Sequence, residues 1–336
     1  MKILYAIQGT GNGHLARATE IIPLLRKQGE TDILVSGIQG DIRLPFEVKY
    51  KLYGFSFIFG ERGDVDIWKT IYKARLCRLI NDIRKIPVKN YDLVITDFEP
   101  VTAWACKLKR KECVGLSHQN AVLHPKAARP LKTDYFGKLV LKHYAPAKYQ
   151  YGFHFKQLDK QNFTPVIRSS IRKAAVSNKG HYTVYLPAFS DLEIEKILKQ
   201  HKNVRWEVFS KHCQKSYSKG SIRFNPVSLE GFNQSFVSCA GILCNAGFET
   251  PAEALYMGKK LCVFPMKNQY EQACNAAMLA ELGIPVVSKI SAFREVLTDW
   301  LQQEKAIQIL YPDNTREILF ELIGTHKASQ NSGNKK

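Results

Sequence analysis

Gln8-Gly9-Thr10-Gly11-Asn12-Gly13-His14 is the stretch from which the architecture of this chain can be worked out. Before it stands Ile3-Leu4-Tyr5-Ala6-Ile7, an apolar run of the kind a buried strand makes. After it, in residues 15–25, apolar side chains recur at helical spacing. The chain therefore opens as strand, glycine loop, helix. Glycines let the backbone approach a ligand closely, and a helix N-terminus leaves free N–H groups for an anion. His14 adds a titratable group at the same edge. The spacing is G-x-G-x-G-H, so His14 stands where a dinucleotide-binding loop needs its third glycine. The next strand, residues 33–36, runs into Gly37 with no acidic residue at its end. Both departures argue against a nicotinamide dinucleotide.

The 336 residues suit two domains, and an apolar fraction of 45% is ample for two cores. The formal charge is +19 and uneven: between Val101 and Gly180 there are sixteen lysines and arginines against Glu112, Asp134 and Asp159. Such a field attracts anions, whether nucleic acid, anionic lipid or a phosphorylated substrate. No arginine-rich tail, zinc-ligand spacing or RNA-binding signature accompanies it, so no nucleic-acid partner is expected. The eight cysteines form no C-x-x-C. Cys106, Cys239, Cys244 and Cys262 lie in apolar stretches and read as small core residues in a reducing compartment, not as disulfides or metal ligands. Residue 1 runs straight into a strand, so no signal peptide is expected, and no uncharged stretch of membrane-spanning length occurs. The expected location is cytoplasmic. Residues 325–336 are polar and read as a disordered tail.

Strands and helices alternate along the first half. Strands are expected at 33–36, 48–52, 92–97 and 113–117, and helices near 67–86 and 102–108, with a loop around 54–63. This alternation implies a parallel sheet covered by helices, whose ligands lie beyond the carboxyl ends of the strands. Asp97 and His118 stand just past strand ends, on the same rim as the opening loop. Asp97 suits either a site role or a helix cap before Pro100; His118 reads as a satisfied rim histidine. Trp68, Ile71, Tyr72, Leu76, Leu79, Ile80 and Ile83 form a core-facing stripe, opposite Lys69, Lys73, Arg75, Arg78, Arg84 and Lys85. Residues 135–144 form a helix. The second half repeats the rhythm, with strands at 182–186, 204–209, 241–245, 261–265 and 285–287. Its helices are expected at 191–199, 249–257, 270–282 and 291–322, the last broken at Pro312. The expected architecture is α/β, with domains at 1–175 and 176–324 facing a cleft.

Asn245-Ala246-Gly247-Phe248-Glu249-Thr250-Pro251-Ala252-Glu253-Ala254-Leu255-Tyr256-Met257-Gly258 repeats the logic of the first loop. A strand ends, a glycine turns the chain and a helix starts. Its free N–H groups at residues 248–250 suit a diphosphate. Glu253, one turn in, can accept from two vicinal hydroxyls, as a ribose requires. The polar loop Pro265-Met266-Lys267-Asn268-Gln269-Tyr270-Glu271-Gln272 offers amides and a carboxylate to sugar hydroxyls.

These residues resemble a family. Gly9-x-Gly11-x-Gly13-His14 and, more specifically, Asn245-Ala246-Gly247…Glu253-Ala254…Gly258…Pro265…Glu271-Gln272-Ala273…Asn275-Ala276 look like the GT-B glycosyltransferases of the group containing the lipid II N-acetylglucosaminyltransferase and the macrolide and plant UDP-glycosyltransferases. The second set spans about 30 residues, while residues 37–180 carry little recognisable identity. The resemblance implies two Rossmann-like domains, a nucleotide-sugar donor held by the C-terminal one, an acceptor facing the N-terminal one, and displacement with inversion without a metal or other cofactor. By motif position, Gly11 and Gly13 stand at the donor, Gly247, Phe248, Glu249 and Thr250 meet the diphosphate, Glu253 the ribose, and Glu271 and Gln272 the donor sugar. His14 is the base for the acceptor hydroxyl, with Asp97 as its partner. The family's glycine turn after the first C-domain strand is here Pro187-Ala188-Phe189-Ser190-Asp191, which leaves Ser190 to supply a phosphate contact. The basic excess and the aromatic pair Tyr135 and Phe136 suit peripheral attachment to an anionic membrane face and a lipid-linked acceptor; a soluble acceptor is the other reading. Two other functions fit the same fold, a nucleotide-sugar 2-epimerase and a non-catalytic nucleotide-sugar sensor.

Overall fold

The computed structural model describes residues 1–37, 44–54, 76–132 and 134–333. The expected loop beyond Gly54 and the first half of the expected 67–86 helix, including Trp68, Lys69, Lys73 and Arg75, lie outside the described residues. That helix is seen over Leu76–Lys85.

The first sheet has seven strands: β1 (Lys2–Gln8), β2 (Glu30–Ser36), β3 (Tyr50–Leu52), β4 (Leu93–Asp97), β5 (Val114–Leu116), β6 (Tyr149–Phe153) and β7 (Asn162–Phe163). Their order is β3-β2-β1-β4-β5-β6-β7, and all pairs are parallel. β1 is an interior strand, flanked by β2 and β4, and its Ile3 to Ile7 are fully buried, which is why that run is apolar without alternation. Its register sets Ile7 beside Asp97, so the glycine loop and the end of β4 emerge together. This is the switch point at which chain direction reverses across the sheet.

The second sheet has six: β8 (His181–Tyr185), β9 (Arg205–Ser210), β10 (Tyr217–Lys219), β11 (Ile222–Pro226), β12 (Gly241–Asn245) and β13 (Lys260–Phe264). The order is β10-β11-β9-β8-β12-β13, with only β10–β11 antiparallel. The expected strand at 285–287 is a single bridge, Val286 to Val263. Pro285 has no N–H to extend a ladder.

The helix expected to break at Pro312 is two helices, Phe293–Gln302 and Thr315–Gly333. The second corrects the reading of a disordered tail for residues 325–333, since it continues to Gly333. Ile318, Leu319, Leu322 and Ile323 anchor it in the core, and His326, only 3% exposed, meets the Tyr149 ring edge-on at 6.2 Å. Once that apolar face is buried, extending the helix adds one hydrogen bond per residue at little entropic cost. The same core runs from Ile3 and Leu15 of the first half to Phe248 and Leu255 of the second. Arg172 donates to the carbonyls of Tyr311 and Pro312 and fastens the connection between the sheets to the start of this last helix.

Candidate active site

A cleft of about 1590 Å³ opens between the carboxyl ends of the two sheets. Ordinary small-molecule pockets hold about 300–1,000 Å³, so this cleft is larger than a single such ligand requires. One wall carries Gly11, Gly13, His14 and Gln119; the other carries Ser190, Gly247, Thr250 and Gln272.

The first helix, Asn12–Arg26, begins at Gly11, whose φ of 90° is in the left-handed region that favours glycine. No side chain caps this helix. The helix Glu249–Met257 likewise starts without a side-chain cap. Both N-termini line the cleft, so their first-turn N–H groups and positive dipole ends can receive an anion there. Nothing lies within 4 Å of where a Cβ on Gly247 would be, which leaves room for a ligand against the backbone. At Gly13 a Cβ would collide with the Glu249 carboxylate, so glycine there lets the two halves meet.

His14 Nδ1 donates to Asp97 Oδ1 at 2.7 Å. Asp97 is fully buried at the end of β4. It is not a helix cap: Glu99 fills that position, accepting from the N–H groups of Val101 and Thr102 at 2.8 and 2.7 Å. Between them Phe98 adopts φ 55°, a strained backbone for an aromatic residue, and its ring stacks on Tyr144 at 4.7 Å and lies parallel to His14 at 6.4 Å. Burial opposes the imidazolium of His14, but the charge and hydrogen bond of Asp97 outweigh it and raise the pKa above the ordinary value of 6.5. Burial alone would raise the pKa of Asp97; Arg17 and His14 overcome it and hold the carboxyl below its usual range. The other ring nitrogen of His14, Nε2, lies 3.3 Å from Gln119 Nε2 at the cleft wall. Gln119 in turn donates to Glu271 Oε2 at 2.9 Å, and burial raises the pKa of that carboxyl.

His118, expected as a satisfied rim histidine, is buried between two oxygens. Its Nδ1 donates to the carbonyl of Phe153 at 2.8 Å, its Nε2 lies 2.7 Å from Asn275 Oδ1, and its ring stacks on Phe248 at 3.9 Å. Burial pushes its pKa down to about 3; a neutral ring carries one N–H, so it donates to only one of these two oxygens. Gln272 accepts from the Met266 N–H at 2.9 Å and shapes the loop after β13. Ser190 lines the cleft but also caps the helix Asp191–Leu198 in a reciprocal box with Glu193. Glu253 departs most from expectation. It is 3% exposed, and both carboxylate oxygens accept from Arg168, each at 2.6 Å. Arg17, Gln119 and Arg168 were not anticipated. Only Arg17 had a local signal, one turn beyond His14 on the same helix face.

A family model described as glycosyl transferase family 1 matches residues 1–303. No curated protein sequence matches the chain. Among solved structures, the glycosyltransferase SnogD from Streptomyces nogalater is 15% identical with a TM-score of 0.54, over 96% of this chain and 99% of that one. MurG of Acinetobacter baumannii is 14% identical with a TM-score of 0.57, over 96% and 99%. UGT89C1 of Arabidopsis thaliana, complexed with UDP, is 10% identical with a TM-score of 0.55, over 97% and 94%. Identities this low speak for the fold, and the family match for the reaction class. The chain belongs to glycosyl transferase family 1, a transferase with the two-domain GT-B fold.

Proposed function

We propose that this enzyme moves a sugar, with inversion, from a nucleotide-diphospho-sugar, a UDP-sugar first among them, to an acceptor hydroxyl. The observation that carries the reading is the His14–Asp97 pair. With Nδ1–H committed to Asp97, the lone pair of Nε2 stands at the cleft wall beside the Gln119 amide, 3.3 Å away; the acceptor hydroxyl displaces that contact and gives its proton to Nε2. The family match to a glycosyl transferase favours this reading over a nucleotide-sugar 2-epimerase or a non-catalytic sensor. The acceptor oxygen attacks the anomeric carbon from the side opposite the diphosphate. The new C–O bond forms as the bond to the diphosphate breaks, and the nucleoside diphosphate leaves with the electron pair. The helix N-terminus at Phe248–Thr250 takes up that charge, so no metal is called for. Glu271 and Gln272 flank the donor sugar. Glu253 is assigned to the ribose by its motif position alone: it is 3% exposed, both its oxygens are held by Arg168, and it is not among the residues that line the cleft.

The test is calorimetry with UDP in the presence of a chelator. Binding supports the reading, and loss of binding with chelator would make a metal part of the donor site. Absence of binding to any nucleoside diphosphate would overturn it.

The helix Tyr135–Tyr144 favours a lipid-linked acceptor. Val140 and Leu141 line the cleft, while Tyr135, Phe136 and Leu139 are 80%, 56% and 55% exposed beside exposed Lys132, Lys138 and Lys142. An apolar face ringed by cations at a cleft mouth fits an anionic bilayer. Among the described residues no helix is long and apolar enough to cross a membrane, so this attachment is peripheral.

A further inference from the structure

Arg17 has no part in the transfer step as described, because a guanidinium neither gives nor takes a proton near neutral pH. Yet its side chain is 1% exposed and all three of its nitrogens are engaged. Nε donates to Asp97 Oδ2 at 3.1 Å. Nη2 donates to Oδ1 at 2.6 Å and Oδ2 at 2.9 Å. Nη1 donates to Glu249, which belongs to the other half of the molecule. One guanidinium thus holds a carboxylate from each side of the cleft. The Phe153 ring, 5.5 Å from its Cζ, adds a cation–π contact.

This geometry bears on His14 in two ways. The planar fork pins the Asp97 carboxylate in one plane, and Oδ1 then faces His14 Nδ1. The same fork leaves Nη2 only 3.0 Å from His14 Nδ1, two donors side by side. We propose that Arg17 is the positioning residue of the His14–Asp97 pair, and that Glu249 ties this pair to the donor side of the cleft. The inference rests on reading His14 as the base.

The charged groups facing His14 are Arg17 on its own helix, Asp97 at the end of β4, Glu249 on the facing helix, and Glu271 through Gln119. Among the charges, Asp97 and Glu249 favour the imidazolium and Arg17 opposes it. A lysine would keep the charge but not the fork, since a point charge cannot hold two oxygens and a second carboxylate in one plane.

The experiment is an NMR titration of the His14 ring in the full chain without substrate, its signals assigned by their loss in His14→Ala. Arg17→Gln is expected to raise the titration midpoint, and Glu249→Gln to lower it. Arg17→Lys is expected to keep the midpoint near that of the parent while the hydrogen-bonded Nδ1–H proton, protected from exchange in the parent, is lost. A purely structural arginine would change thermal stability without these opposed shifts. An unchanged midpoint with a retained Nδ1–H signal in folded Arg17→Gln would overturn the proposal, as would shifts of the same sign in both variants. If Arg17→Gln does not fold, Arg17→Lys decides: loss of the protected Nδ1–H signal in the folded variant supports the proposal, and its retention defeats it. Because no substrate is present, failure here is distinct from failure of His14 as base, which the turnover of His14→Ala reports.

Discussion

His14 and Asp97 are 83 residues apart in sequence and 2.7 Å apart in space, joined where β1 and β4 end side by side. The pair orients one ring nitrogen, and the other meets the Gln119 amide at the cleft wall. His14→Ala should leave UDP affinity within a few-fold while turnover falls by roughly 10²–10⁴. Asp97→Asn should lower turnover as well, since the amide can present its NH₂ to Nδ1 and favour the wrong tautomer. Calorimetry and UDP release measure the two quantities, and full turnover in His14→Ala would remove this residue from the step.

The pH profile has a defined sign. The base works when neutral, and the folded pKa of His14 lies above 6.5. Activity should therefore rise with pH through an acid limb centred above that value. Asp97→Asn should shift the limb to lower pH, because the charge that favours the imidazolium is gone. The raised pKa also makes a stability contribution, fully present below 6.5 and lost as pH rises through the folded value. The depressed pKa of Asp97 acts in reverse: its contribution is present above the usual carboxylate pKa and is lost as pH falls through the folded one. Thermal melts of the parent and of Asp97→Asn across pH 3–9 compare these trends.

Glu253 and Arg168 form a buried ion pair, so removing one charge strands the other. Glu253→Ala should cost about 3–5 kcal/mol of stability. If the carboxylate also takes the ribose, the variant should lose more affinity for UDP than for inorganic diphosphate. Equal losses would confine Glu253 to the ion pair. Urea unfolding and paired titrations read the two effects separately.

The last helix is part of the core. Ile323→Ala should destabilise by about 2–5 kcal/mol, the usual range for a buried isoleucine. Removing residues 325–336, which takes His326 from its contact with Tyr149, should lower the melting temperature. An unchanged melting temperature would mean that this segment adds nothing to the fold.

Anionic vesicles test the Tyr135–Tyr144 face. Each Lys or Arg near an anionic surface contributes about 1 kcal/mol, and salt screens it. The protein should sediment with anionic but not neutral vesicles and be released by roughly 0.5 M salt. Replacing Tyr135, Phe136 and Leu139 by serine should abolish sedimentation. Binding that persists after this change would place the contact elsewhere.

The sequence by itself determined the alternation of strands and helices, both glycine loops that turn into helices, and the helix 249–257 to its ends. Those signals are local: apolar runs, glycines and a 3.6-residue period act within a few residues of one another. It did not yield β6, β7, β10 and β11, because Tyr149-Gln150-Tyr151-Gly152-Phe153 and its like are short, mix polar with aromatic residues and are stabilised by neighbours far away in sequence. His14 and Asp97 could each be named as candidates. Whether Asp97 capped a helix or faced a histidine depended on Glu99 taking the cap, and that depended on how β4 turns at Phe98. Arg17 with Glu249, and Arg168 with Glu253, were decided by tertiary structure alone. A buried charge must find its opposite wherever the chain brings one, and in both pairs the partner comes from a separate stretch of sequence.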